Sequence, residues 1–352
     1  MTFDSPNPSP RSPELLSRLL TDPDQRYMLV DIGARSANHH VYRHLSSLCR
    51  IIGFEVDQEE CDRLNAHNPN GLARFYPYAI AGEDGERTFH ITRLDLSSGL
   101  NRSNPAWMSR FPWRNLDVMR EVQVPTIRLD TFVARENVHH MDFLKVDVEG
   151  AELEVMRGAR QSMSDMGVLC IQTELWWDPV MKGQPTFAEL DTFIRDAGFR
   201  FYDLSLHRQP RTTLPVGRLG GAYDPATRSV RLRYDQAPYG QATTGDALYF
   251  RDPVGERREG WTHKTLEWTD ERLLRLCGLL DIFDYGDCAI EVLEEFRDQL
   301  SQRFDVDALI DAMTPSVENQ ILGYDIYLKS SNDLRRQFNR LQWGAEPLLF
   351  TK

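Results

Sequence analysis

The feature that most limits how this chain can fold is a series of short apolar runs, each ending at a charged residue. Tyr27-Met-Leu-Val-Asp31-Ile runs up to Gly33, and Arg50-Ile-Ile-Gly-Phe-Glu55-Val breaks at an acid. Met141-Asp-Phe-Leu-Lys145-Val-Asp147-Val and Val168-Leu-Cys-Ile-Gln-Thr-Glu174 repeat the pattern. Near-continuous apolar runs of this length are what parallel strands covered on both faces require. Residues 37–48, 150–160 and 187–196 have room for crossover helices, the last stopped by Ala197-Gly198. Strand–helix alternation up to about residue 205 predicts a doubly wound α/β domain over 27–205. Ala73–Ile80 reads as its third strand, with a Glu83-Asp-Gly-Glu turn making a hairpin into Arg87–Thr92.

Outside that block the character changes. Residues 1–26 read as a proline-rich tail followed by a short helix opened by Ser12-Pro13. Residues 206–260 mix Gly, Pro, Arg and Asp with short strand-like pieces and read as an irregular β connecting segment. From 261 to 352 the apolar spacing turns helical (Leu273, Leu274, Cys277; Ile290, Leu293; Leu309, Ile310, Met313), predicting a small helical C-terminal extension. A net charge of −12 disfavours phosphate backbones and anionic lipid, so neither nucleic acid nor membrane is the expected partner. Five scattered cysteines without a C-x-x-C pair indicate neither a disulfide framework nor a zinc site. The absence of a secretion signal or membrane span in these residues gives a cytoplasmic expectation, and a homo-oligomer is compatible with the sequence.

Chemistry is expected at the strand ends. Asp31-Ile-Gly33-Ala-Arg35 follows a strand and precedes a helix, where α/β folds bind nucleotides, and Gly33 permits close approach of the backbone. Glu55, ending the next strand, can accept both hydroxyls of a ribose. A dinucleotide site would call for G-x-G-x-x-G, and only Gly33 is present; a cofactor without a pyrophosphate, such as S-adenosylmethionine, demands less glycine. The denser signal is Lys145-Val-Asp147-Val-Glu149-Gly-Ala-Glu152, with Lys145, Asp147 and Glu149 on one face by two-residue alternation. Charges ending a covered strand must be paired or used. Asp147 and Glu149 read as functional, whereas Lys145 and Glu152 suit orienting roles equally well. Glu174 would stand beside Asp147 across the sheet; the two could hold a divalent cation such as Mg, or one could act as general base. Trp107 and Trp113 fall in a 93–120 segment that could form a lid, with Trp176-Trp177 beside it. His39-His40 and His139-His140 read as solvated or capping residues, and His207 has no assigned role.

Taken in order, D-I-G-A, F-E, Thr126-Ile-Arg-Leu-Asp130, D-F-L-K-V-D-V-E-G-A-E-L-E-V-M-R-G-A and T-E-L resemble the FkbM-type class I methyltransferases across roughly 27–205. The resemblance implies a seven-stranded Rossmann-like sheet, S-adenosylmethionine as donor, and O-methylation of sugars or other hydroxylated small metabolites. By position, Asp31, Gly33 and Glu55 would contact the cofactor, while Asp147, Glu149 and Glu174 would line the reacting end. The family's first loop usually reads D-x-G-A-N-x-G, whereas here Arg35 and Ala37 replace the asparagine and the last glycine. Arg35 could bind the methionine carboxylate or fill the pocket. The alternative reading is a methyltransferase-fold protein that has lost its chemistry and acts as a binding or assembly module.

Overall fold

The computed structural model describes residues 10–35, 39–68, 71–112, 115–213, 219–220, 223–230, 233–234, 240–260, 266–316 and 323–342. Its centre is a seven-stranded sheet: β1 Tyr27–Ile32, β2 Cys49–Phe54, β3 Ala73–Tyr76, β4 Phe143–Val146, β5 Cys170–Trp176, β6 Arg200–Gln209 and β7 Gln241–Phe250. The spatial order is β3-β2-β1-β4-β5-β7-β6, parallel from β3 to β5, with β7 antiparallel to both of its neighbours. The order reverses between β1 and β4. In open α/β sheets the crevice at the carboxyl ends of such a pair is where ligands bind.

Alternation along each strand divides the core in two. Leu29, Phe143, Cys170, Leu248 and Phe250 point to one face; Val30, Ile32, Leu144, Val146, Ile171, Ala247 and Tyr249 point to the other. Helices Leu129–Arg135, Glu152–Gly158, Arg160–Asp165 and Phe187–Asp196 cover the second face. The first face is covered by Ser12–Leu19, His40–Leu45, Asp270–Ile282, Gly286–Glu295 and Val306–Met313. Helix ends are closed locally, with Asp57 capping Gln58–Ala66 and Thr186 forming a capping box with Glu189.

Three sequence expectations are corrected here. The sheet is not complete at residue 205, because β7 is drawn from the segment read as a connector. No crossover helix announces it, since an antiparallel strand can return directly beside its predecessor. The helices after 261 are not an appendage to the α/β block but one of its three layers. In Asp270–Ile282 every residue from Leu273 to Ile282 is buried, and a Cβ on Gly278 would lie 2.2 Å from the Tyr27 hydroxyl. Lastly, Ala79–Ile80 and Gly85–Thr92 form no hairpin with each other. Both pair instead with Val118–Ile127, giving a separate three-stranded sheet in the order Ala79–Ile80, Val118–Ile127, Gly85–Thr92. The Ser36 and Ala37 positions, Trp113 and the first nine residues lie outside the described set.

The C-terminal layer is joined to the sheet by a buried ion pair. Arg275 Nε donates to Asp142 Oδ1 at 2.8 Å, while Asp142 Oδ2 accepts the Met28 amide at 2.9 Å. Truncating Arg275 leaves a buried carboxylate without its cation, a change that costs about 3–5 kcal/mol. Arg275→Ala should therefore lower unfolding free energy by about that amount in urea titration, with little change in the slope.

Candidate active site

A cavity of about 840 Å³ opens at the carboxyl ends of β1, β2, β4 and β5, roofed by the three-stranded sheet. Its size is in the range of small-molecule sites. The loop after β1 bends sharply, so that the Gly33 and Ala34 amides both donate to Phe54 O, at 3.2 and 2.9 Å. Gly33 has φ +86°, and a Cβ there would lie 2.0 Å from the carbonyl oxygen of Asp147. The glycine is thus demanded first by the end of β4, and the close approach it allows also forms the cavity wall.

Glu55 lies at one end of this cavity, with Oε1 accepting the Asp57 amide at 2.9 Å. Burial raises its carboxyl pKa, opposed by that amide and by Arg35. The Arg35 guanidinium lies 3.9 Å from both Glu55 and Asp57 and 3.5 Å from Asp95. Arg35 thus lines the cavity among three acids. Val56, Tyr78, Phe89 and Leu100 supply apolar wall nearby.

The other end gathers the strand-end charges. Lys145 Nζ donates to Asp31 Oδ1 at 3.3 Å and to Asp147 Oδ2 at 3.2 Å. Burial alone would lower the ammonium pKa; the two carboxylates outweigh it and push it up. Asp31, read from sequence as a cofactor contact, is not among the lining residues but is the buried counter-ion that holds Lys145. One carboxylate oxygen each from Asp147, Glu149 and Glu174 lie within 4.8 Å of one another. Glu149 reaches this point from a left-handed backbone, φ +57°. Its pKa is raised by burial, then by Asp147 and Glu152. Glu174 is raised by burial, then by Glu149 and Asp147, while its Oε2 accepts the Trp176 indole N–H at 3.0 Å. Glu152 has the orienting role: its Oε1 accepts the Gly150 amide at 2.9 Å, fixing the turn after β4.

Four lining residues carried little signal in sequence. Asp246 on β7 is the register partner of Glu174, and His207 Nε2 lies 3.8 Å from Asp246. A polar break in the run leading to Ala247–Phe250 was the available clue, once β7 is seen as a covered strand. His39 does cap its helix, accepting the Val41 amide, but it is half-buried rather than solvated, and its Nε2 lies 2.9 Å from Gln172 Oε1. The 93–120 segment does close over the site. Asn101 Nδ2 donates to Gly150 O at 2.7 Å, and Trp107 stacks on Phe111 in a cluster with Trp176 and Met181. These aromatics anchor the covering segment through packing.

The strand order, with its reversed seventh strand, and the cleft at the switch point define the class I methyltransferase fold. Within that class, residues 31–201 match the family described as the methyltransferase FkbM domain. Curated relatives include the 2-O-methyltransferase NoeI of Sinorhizobium fredii, 25% identical over 154 residues, 42% of this chain and 62% of NoeI. The hexuronic acid methyltransferase AglP of Haloferax volcanii is 21% identical over 168 residues, 47% of this chain and 64% of AglP. The chain thus spans less than two thirds of the length of either relative. Among solved structures, magnesium protoporphyrin IX methyltransferase (ChlM) from Synechocystis PCC 6803 matches at 9% identity and TM-score 0.29, covering 68% of this chain and 77% of that one. No described helix is long and apolar enough to cross a membrane.

Crowding of acids has a consequence for stability. A carboxyl whose folded pKa is raised holds its proton where the unfolded chain has released it. Its contribution is complete below the unfolded value, about 4.3, and is lost as pH rises through the folded value. Glu149→Gln removes that loss. We expect the variant to melt about 2–4 °C above the parent at pH 8, the gain vanishing near pH 4. A melting-temperature series against pH checks this directly.

Proposed function

We propose that this chain transfers a methyl group from S-adenosylmethionine to a hydroxyl oxygen of a sugar or other hydroxylated small metabolite or glycan met in the cytoplasm. The observation that carries the reading is one cavity lined by Glu55, by Gly33 packed against the end of β4, and by the clustered carboxyl groups of Asp147, Glu149 and Glu174. A buried acid ending β2 suits paired ribose hydroxyls, and the tight Gly33 turn suits a ligand laid against the backbone. The fit of these residues to the cofactor supports the reading, as do the methyltransferase names of both relatives.

When bound, S-adenosylmethionine supplies an electrophilic methyl group on a sulfonium. Around it, Glu55 would accept hydrogen bonds from the ribose, and the loop from Gly33 to Arg35 would flank the amino-acid arm. Asp147 would stand at the reacting end with its charge fixed by Lys145, orienting the acceptor hydroxyl. Glu149 or Glu174, whichever is ionised, would accept the hydroxyl proton as the oxygen attacks. Most of the acceleration would come from holding oxygen and methyl about 3 Å apart and in line, inside a site screened from water by the 93–120 segment. The same three carboxylates suit a divalent cation such as Mg, which would lower the pKa of the acceptor hydroxyl.

Calorimetry with S-adenosylmethionine tests the first half: we expect micromolar binding, and no heat at millimolar ligand would favour the binding-module reading. For the second half, labelled methyl transfer to a panel of sugars should fall about 100-fold or more in Asp147→Asn, with cofactor affinity retained. Activity undiminished by a chelator would remove the cation and leave the carboxylates as bases.

A further inference from the structure

The floor of the cavity contains a hydrogen-bonding arrangement whose polarity can be worked out atom by atom. His39 Nδ1 accepts the Val41 amide at 3.3 Å, so that nitrogen carries the lone pair. Desolvation of the half-buried ring, followed by the nearby Lys145 charge, pulls its pKa down to about 3, which keeps it neutral. A neutral imidazole with its lone pair on Nδ1 has its proton on Nε2. Nε2–H therefore donates to Gln172 Oε1 at 2.9 Å, and this fixes which way round the Gln172 amide lies. The Gln172 amide nitrogen then has two protons and, among the described residues, no acceptor. Gln172 is 7% exposed and lines the cavity.

Its cross-strand neighbour in register is Lys145. The ammonium has three protons and gives one each to Asp31 and Asp147, leaving one unassigned at the same cavity surface. Three donor hydrogens on adjacent register positions thus lie at the cavity lining without an acceptor of their own among the described residues, beside the carboxyl groups of Asp147, Glu149 and Glu174. Donors that face the cavity without a protein acceptor are available to a ligand that brings oxygen lone pairs.

We infer that Gln172 and Lys145 form a carboxylate-binding floor in the cavity, with His39 as the positioning residue that turns the Gln172 amide toward the ligand. Two sources could bring that carboxylate: the amino-acid arm of the methyl donor, or an acidic acceptor sugar. The first source rests on the methyl-transfer reading above; the second does not.

The test is titration calorimetry of the full chain and of Gln172→Glu, which keeps the size of the side chain but replaces its two donors with acceptors. The probes are S-adenosylhomocysteine, methylthioadenosine (which lacks the amino-acid arm), D-glucuronate and D-glucose. A loss of about tenfold or more for S-adenosylhomocysteine, with methylthioadenosine within about twofold, supports the floor and assigns it to the donor. A selective loss of glucuronate over glucose supports it and assigns it to the acceptor. Equal weakening of both nucleosides, or no selective change in either pair, overturns it. His39→Ala should shift the same selectivity by a smaller factor, because the amide is then free to turn; unchanged selectivity removes the positioning role. If Gln172→Glu fails to fold, Gln172→Leu is read by the same criteria. If the parent binds neither nucleoside, the methyl-donor reading falls. The glucuronate pair then decides the floor by itself, and absence of a glucuronate preference in the parent overturns it.

Discussion

The cleft depends on how closely the loop after β1 can approach the end of β4. A carbonyl at Asp147 occupies the space a side chain on residue 33 would need, and the Lys145 ammonium holds Asp31 and Asp147 to one centre. Two backbones are thereby pinned side by side at the switch point, with an ammonium beneath them. The turn at Gly33 and the direction of the Asp147 carboxylate follow from this contact. So does the entry of the chain into the Val148–Gly150 turn. If the approach were wider, Glu149 would no longer reach Asp147 and Glu174. Ion triads of this kind add little net stability, because desolvation consumes most of the attraction. Their effect is to fix geometry: Asp31 is spent as counter-ion so that Asp147 can face the cavity.

The acids beyond the triad are organised at a cost. Glu149 adopts a left-handed backbone, worth about 1–2 kcal/mol against a residue with a Cβ. Glu149 and Glu174 then share a small space with Asp147, and burial disfavours charge on both glutamates. The surrounding structure absorbs this through packing. Both faces of the sheet are covered by helices, and the C-terminal helices supply much of one face.

The parts of this arrangement that were legible in the sequence are those where a covered strand meets charge. Lys145, Asp147, Glu149 and Glu174 stand out because a buried apolar run cannot carry ionised groups without a purpose, and the structure brings them together. Gly33 and Glu55 were legible from their places after β1 and β2. Asp31 was legible as important but not as a counter-ion, since strand alternation does not say which acid a lysine will choose. β7 was hidden because its antiparallel partner returns without a helix between. His39 was hidden because two adjacent histidines read as polar surface, and only the tertiary fold brings the first against Gln172. The helices after 261 had the right periodicity, but a helical period does not reveal which sheet face it serves.

The family segment ends at residue 201, yet the cavity does not. His207 and Asp246 complete its rim from β6 and β7, and Asp246 stands in register with Glu174. The part of the cavity around Gly33 and Glu55 is therefore built from the segment that matches the family. The rim nearest the acids is built partly from strands outside it, and those strands are held by the helical layer beneath. Because β7 lies two strands away from the contact between Gly33 and Asp147, residues such as Asp246 can change the lining of the cavity without disturbing that contact.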